Sequence, residues 1–433
     1  MIRVLWAAVA AVLLAAPLRA EIAIQELMSP GGVQVWLVEE HSIPFTALEI
    51  RFQGGGSLDL AGKRGATNLM VGLLEEGAGA LDARGFTTAK EELAAEFSYD
   101  IGDDAVSISA RFLTENRAAS VELLRQSLVE PRFDADAIER VRAQVLTGLR
   151  QDEKDPRALA SRAFDTMAFG DHPYATSFQG TLDSVAGLTR EDLVVAHQGA
   201  LARDRLYVSA VGDITAAEVT ALVDTLFAAL PATGAPLPEA ITPNFPGGVK
   251  VTDFDTPQSV VLFGQPGLDR DDPDFFAAFV LDHILGGGGF ESRLMQEVRE
   301  KRGLTYGVYS YLADRDSAFW WGGSLNSQNE RAAEAIDVIR AEWLKMRDAG
   351  VSDAELSDAK TYLTGAYPLR FDGNGPIAAI LVGMQMQGLP TSYVTERNAK
   401  VDAVTKEDVA RVAKRLMDPE ALTFVVVGRP AGI

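Results

Sequence analysis

Three early stretches, Val33 to Glu39, Ala47 to Gln53 and Ala105 to Phe112, are rich in β-branched and aromatic residues and are bounded by glycine and aspartate turns. That pattern predicts strands. The period then changes: Ile138, Val141, Val145, Leu146 and Leu149 fall on one helical face, and Ala332 to Met346 reads as a second amphipathic helix. Phe319-Trp320-Trp321 has the look of a core-facing strand. Strands and helices follow one another without steady βαβ alternation, which predicts α+β units built on mainly antiparallel sheets.

The pattern is used twice. Thr189-Arg190-Glu191-Asp192-Leu193 recurs as Thr405-Lys406-Glu407-Asp408-Val409, each with Thr placed to cap a helix and acids in its first turn. At the same offset, the β-rich run Leu206 to Gly212 recurs as Leu422 to Gly428. Leu146-Thr147-Gly148 recurs as Leu363-Thr364-Gly365, one residue off that offset. Between the copies, Pro231, Pro236, Pro238, Pro243 and Pro246 crowd a stretch with three glycines that suits neither a helix nor a central strand. The expected organisation is two homologous α+β domains, residues 21–230 and 249–433, joined by a linker at 231–248.

Composition narrows the chemistry. Hydrophobic residues at 47% and charged residues at 23% suit a globular protein with a core. A net charge of −21 argues against nucleic acid as a partner. The absence of cysteine excludes disulfides, thiol catalysis, zinc ribbons and iron–sulfur sites. A metal would need histidine and carboxylates, yet the only histidines are His41, His172, His197 and His283, widely separated. Each is expected in an ordinary surface or core role. At the start, Arg3 precedes an apolar, Ala-rich run to Pro17, and Leu18-Arg19-Ala20 offers a small residue before a cut. Residues 1–20 therefore read as a cleaved export signal. The expected location is the periplasm, with no stable membrane insertion afterwards.

Lys63 to Gly77 (KRGATNLMVGLLEEG) resembles the segment that carries the inverted zinc motif, H-x-x-E-H, in the M16 (pitrilysin-like) metallopeptidases. Leu285 to Leu294 (LGGGGFESRL) is similar to that family's "LGG…SRL" element, and Val298 to Tyr306 (VREKRGLTY) to its "REK-x-GL-x-Y" element. The resemblance spans nearly the whole chain after residue 20. It implies two α+β domains forming half of a clamshell that closes with a second half over an extended peptide, and metal-assisted hydrolysis of unstructured polypeptides.

A catalytic zinc needs three protein ligands and an open position for water. Two histidines at i, i+4 share a helical face, and the Glu between them acts as general base. At the motif positions this chain has Asn68, Val71 and Gly72, and the resemblance puts Gly148 where the third ligand belongs. First ligand, base, second ligand and third ligand are lost together, so no metal and no cofactor is expected in this chain. The resemblance also implies a retained pair, Arg299 and Tyr306, that reaches a zinc site to bind the scissile carbonyl and steady its oxyanion. Gly303 is expected to break the helix between them, so that Tyr306 opens a strand. Gly286, Gly287, Gly288 and Gly289 are expected to form a turn where backbone approaches a peptide, and Gly54-Gly55-Gly56 a turn lining the cleft. The function this suggests is a non-catalytic subunit, paired as a heterodimer with a zinc-bearing M16 chain. A peptide-binding or scaffold protein with no part in catalysis is the alternative.

Overall fold

The computed structural model describes residues 22–433; the export signal expected at residues 1–20 lies outside the described residues. The first sheet contains β1 (Gln25–Met28), β2 (Gln34–Glu39), β3 (Phe45–Gln53), β6 (Glu96–Ile101), β7 (Ala105–Leu113) and β8 (Leu206–Gly212), in the order β1-β2-β8-β3-β7-β6. A separate ribbon pairs β4 (Gly77–Ala78) with β5 (Leu81–Asp82). The second sheet contains β9 (Gly248–Asp253), β10 (Gln258–Pro266), β11 (Val308–Arg315), β12 (Ala318–Gln328) and β13 (Thr423–Gly428), in the order β11-β12-β10-β13-β9. Among the described residues, only β2 with β8 and β9 with β13 run parallel. The α+β class with mainly antiparallel sheets is the one the periodicity predicts.

Aligned as β2-β8-β3-β7-β6 and β9-β13-β10-β12-β11, the two sheets share strand order and strand sense. The sequence recurrences occupy equivalent places. Thr189 and Thr405 each complete a capping box, accepting from the backbone N–H of Asp192 and Asp408. Gly212 and Gly428 end β8 and β13 at φ 137° and 152°. A Cβ on Gly212 would lie 2.3 Å from the Phe45 carbonyl oxygen, and one on Gly428 2.5 Å from Ser259 Oγ. Both crossings need glycine.

Each sheet is covered on both faces, and one cover is exchanged. The first sheet's own helices bury Leu48, Ile50 and Phe52. Its opposite face is covered by the helix Asn374–Met386 from the second half, which seats Ala378, Leu381 and Met384 on Trp36, Ala47 and Val211. Ser209 Oγ donates to the Ala378 carbonyl at 2.7 Å, and Gln385 Nε2 to the Val208 carbonyl at 2.8 Å. Reciprocally, the helix Pro156–Phe169 covers the back of the second sheet, with Phe164 and Phe169 packed beside Trp320 and Val425. Burial on two faces explains why β8 and β13 are continuous apolar runs rather than alternating ones. It also explains why the helix Asn374–Met386 is apolar nearly all round.

The proline-rich segment is irregular but held. Ile241 N donates to the Ser317 carbonyl and Asn244 N to the Ala168 carbonyl, both at 2.8 Å. At the tip of the β11–β12 hairpin, Arg315 pairs with Asp103 at 3.0 Å and Gln53 donates to Asp316 at 2.7 Å. These contacts tie the two halves side by side.

Candidate functional site

Asn68 and Val71 lie on the short helix Ala66–Val71, and Gly72 caps its end. Val71 is buried, and a Cβ on Gly72 would sit 3.1 Å from Val141 Cγ1 on the helix Ala135–Asp152. The two helices therefore touch where two side chains of a zinc site would have to fit. Gly148 stands two turns beyond Val141 on the same helical face, and a Cβ there would meet nothing within 4 Å. Among the described residues no group of three or more His, Asp or Glu side chains is gathered to hold a metal.

The histidines are spent on structure. His41 bridges Asp213 (2.7 Å) and Glu39 (3.2 Å) at the surface, and the hydrogen bond to Asp213 holds its pKa above the usual value. His172 accepts from the backbone N–H of Tyr174, His197 is buried against the Leu128 carbonyl at 2.8 Å, and His283 stacks on Tyr362. Burial lowers the pKa of the last three.

Arg299 and Tyr306 line one groove of about 400 Å³, together with Gln258, Thr305, Asn326 and Gln328. Arg299 lies in a widened helical turn, Met295–Glu300, in which Lys301 N reaches back five residues to the Gln296 carbonyl. Its guanidinium stands 4.6 Å over the Phe290 ring and pairs with Glu300 at 2.5 Å. That pair is partly exposed, and such pairs contribute only about 0–1 kcal/mol, so the guanidinium is free to exchange partners.

Tyr306 does not open a strand as the sequence suggests. β11 begins at Val308, and Tyr306 stands in the preceding loop with 87% of its surface exposed. The reason is local. Gly303 turns the chain at φ 60°, its N–H bonded to the Arg299 carbonyl at 2.7 Å. Thr305 Oγ1 then donates to the Asn326 carbonyl (2.7 Å) and accepts from Gly307 N (3.1 Å). A side chain takes the place of a ladder bond, so the loop is pinned while the Tyr306 ring faces solvent. Sequence reasoning missed Phe290 and Glu300, which hold the guanidinium; the aromatic that ends the glycine run was the available signal.

The glycine run is partly a packing device. Gly286 is buried, and a Cβ on it would fall 2.3 Å from Ser310 Oγ on β11. Gly287 and Gly289 are exposed and Gly288 is half-buried. Gly54, Gly55 and Gly56 are buried as well, rather than lining a cleft: a Cβ on Gly55 would lie 2.2 Å from the Gly102 carbonyl oxygen. Beneath Gly286, buried Asp282 accepts from Ser310 Oγ (2.6 Å) and Trp321 Nε1 (2.7 Å). Burial pushes its pKa up to about 6 despite those bonds.

A pKa raised by folding means the fold prefers the protonated acid. The contribution is fully present below about pH 4 and is lost as pH rises through about 6, a difference of ~3 kcal/mol. Asp282→Asn keeps an acceptor for Trp321 without the charge. It is expected to match the parent near pH 4 and to exceed it by ~1–3 kcal/mol at pH 8. Urea denaturation at the two pH values reads the difference, and a parental loss at both would remove the assignment.

A family model described as "Peptidase M16 inactive domain" matches residues 187–363. A Helicobacter pylori protein named a non-peptidase homolog, YmxG, is 26% identical, with 92% of this chain and 93% of that protein covered. A Streptomyces coelicolor protein named an uncharacterized zinc protease is 25% identical over 90% of this chain and 86% of its own length. The crystal structure of a peptidase M16 inactive domain from Pseudomonas fluorescens superposes with a TM-score of 0.86 at 29% identity, covering 94% of this chain and 98% of that one. An inactive-domain match over residues 187–363, relatives that align over most of the chain and a shared fold make this chain similar to the M16 peptidases, including members named inactive or non-peptidase.

Proposed function

We propose that this chain is the non-catalytic subunit of a two-chain periplasmic zinc metallopeptidase that degrades unstructured peptides, and that it lends Arg299 and Tyr306 to the partner's zinc site. One observation carries the reading: Arg299 and Tyr306 line the same groove, one with an exchangeable ion pair and the other with a solvent-facing hydroxyl. Such donors suit a peptide carbonyl arriving from outside the chain. In this reading residues 21–230 form the domain with the lost motif, 231–248 the linker, and 249–433 the domain that presents the pair. Zinc on the partner supplies the activated water. This chain's guanidinium and phenol orient the scissile carbonyl and receive the negative charge that grows on its oxygen. The likeness to a protein named a zinc protease supports the link to peptidase chemistry.

The test measures hydrolysis of an unstructured peptide by this chain, by a motif-bearing M16 partner, and by their mixture, with zinc content determined for each. Turnover by the mixture well above that of either chain, with zinc on the partner alone, is the expected result. Zinc-dependent turnover by this chain alone overturns it. A second reading, a peptide-binding or scaffold protein with no catalytic contribution, draws on the relative named a non-peptidase homolog. It predicts that the mixture is no faster than the partner.

A further inference from the structure

A second concave site lies away from the Arg299 groove, between the helices Phe275–Asp282, Asn374–Met386 and Tyr393–Ala403, with a volume of about 400 Å³. Its lining is unusual for a chain of net charge −21, because three arginines, Arg270, Arg370 and Arg397, converge on it and among the described residues no carboxylate lines it. Arg397 is 7% exposed and sits between two rings, 4.6 Å from the Tyr367 centroid and 5.3 Å from that of Phe279. It donates to the Leu363 carbonyl at 2.8 Å and to Asn398 Oδ1 at 3.1 Å. Among the described residues neither Arg397 nor Arg370 makes an ion pair, and Arg270 has only Asp314 at 3.7 Å. Arg270 also donates to Tyr393 Oη at 3.1 Å, and Lys400 stands 5.5 Å from the Tyr393 ring.

Burial disfavours the charge on Arg397, and neighbouring Arg370 acts in the same direction, while the phenolic oxygens of Tyr393 and Tyr367 act against them. A guanidinium stays charged at any ordinary pH, so the pocket presents positive charge that no carboxylate among the described residues neutralises closely. The walls narrow the anion's identity. Planar guanidinium forks match a carboxylate, and the faces of Phe275, Phe276, Phe279 and Tyr367 match an apolar body attached to it. A free inorganic anion would leave the aromatic walls unused.

We infer that this pocket binds the free C-terminal carboxylate of a peptide whose last side chain is aromatic or apolar, gripped by Arg270, Arg370 and Arg397. The site is separate from the Arg299 groove and does not depend on any partner, so its test is a binding measurement on the full chain alone. The probes are acetyl-Ala-Ala-Ala-Phe as the free acid, the same peptide as its C-terminal amide, and inorganic phosphate, followed by calorimetry. Arg370→Gln is the main variant because Arg370 is exposed and makes no ion pair among the described residues, whereas Arg397 also caps the helix Asp353–Ala366. Arg270→Gln is the second, and the melting temperature of each checks its fold.

The free acid is expected to saturate one site, the amide to bind at least about tenfold more weakly, and each variant to weaken the acid about tenfold while leaving the amide unchanged. Equal binding of acid and amide, no saturable binding of the acid, or full affinity in both variants overturns the inference. Phosphate binding as tightly as the peptide acid also overturns it, by reducing the pocket to an inorganic-anion site.

Discussion

In the mixture with a zinc-bearing chain, Arg299→Ala and Tyr306→Phe are each expected to lower kcat by about 10²- to 10³-fold, the usual effect of removing one oxyanion donor. Such a donor acts on charge that exists only in the transition state. kcat and kcat/KM should therefore fall together, with KM nearly unchanged. The fold should be indifferent. Tyr306 is 87% exposed, and the loop around it is held by Thr305 and Gly303 rather than by its own ring. Arg299 gives up a partly exposed pair with Glu300 and a stack on Phe290, a combined loss of about 1 kcal/mol. Melting temperatures close to the parent's would separate a catalytic defect from a structural one. Arg299→Lys should fall between parent and Ala, because it keeps the charge and loses the planar fork. Parental rates in both Arg299→Ala and Tyr306→Phe would remove the pair from the mechanism and leave the scaffold reading.

Much of this fold was legible in the sequence because local physics and tertiary placement agree there. The run Leu206 to Gly212 is β8 to the residue, and Thr189 and Thr405 cap the helices they were expected to open. The Leu-to-Gly recurrence marks the equivalent strands β8 and β13, and the Leu-Thr-Gly copies lie in the helices Ala135–Asp152 and Asp353–Ala366. What escaped was whatever depends on a partner distant in the chain. Nothing in the helix Pro156–Phe169 says that it lies on the other half's sheet. The apolar circumference of Asn374–Met386 implies burial on two sides without naming the second surface. Tyr306 departs from its local propensity for a similar reason: strand propensity favours an aromatic, but Thr305 bonded to Asn326 holds that residue off the ladder. The burial of Gly54-Gly55-Gly56 and Gly286 is hidden in the sequence because a glycine forced by a close approach looks there like a glycine kept for slack.

The exchanged helices make a second large effect predictable, at Phe164. Its ring belongs to the first half but is 5% exposed beneath the second sheet, 5.7 Å from the Phe245 ring of the proline-rich segment. Below it, Gly264 on the central strand β10 leaves room: a Cβ there would stand 2.8 Å from Phe164 Cζ and 2.7 Å from Phe245 Cε1. Phe164→Ala is expected to cost about 3–5 kcal/mol through the cavity it leaves. Gly264→Ala should cost about 1–3 kcal/mol by overpacking the same spot. The two are not additive. With the Phe164 ring gone, the methyl of Gly264→Ala enters the vacated space, and its cost should fall by about 1 kcal/mol or more in the double variant. Because each half supplies the cover for the other's sheet, unfolding one half would expose the back of both sheets. Urea denaturation should therefore show one transition in the parent and in all three variants, shifted but not split. Two transitions, with Phe164→Ala moving only one, would mean that the halves are stable apart and that the exchanged helices are decoration on separate cores.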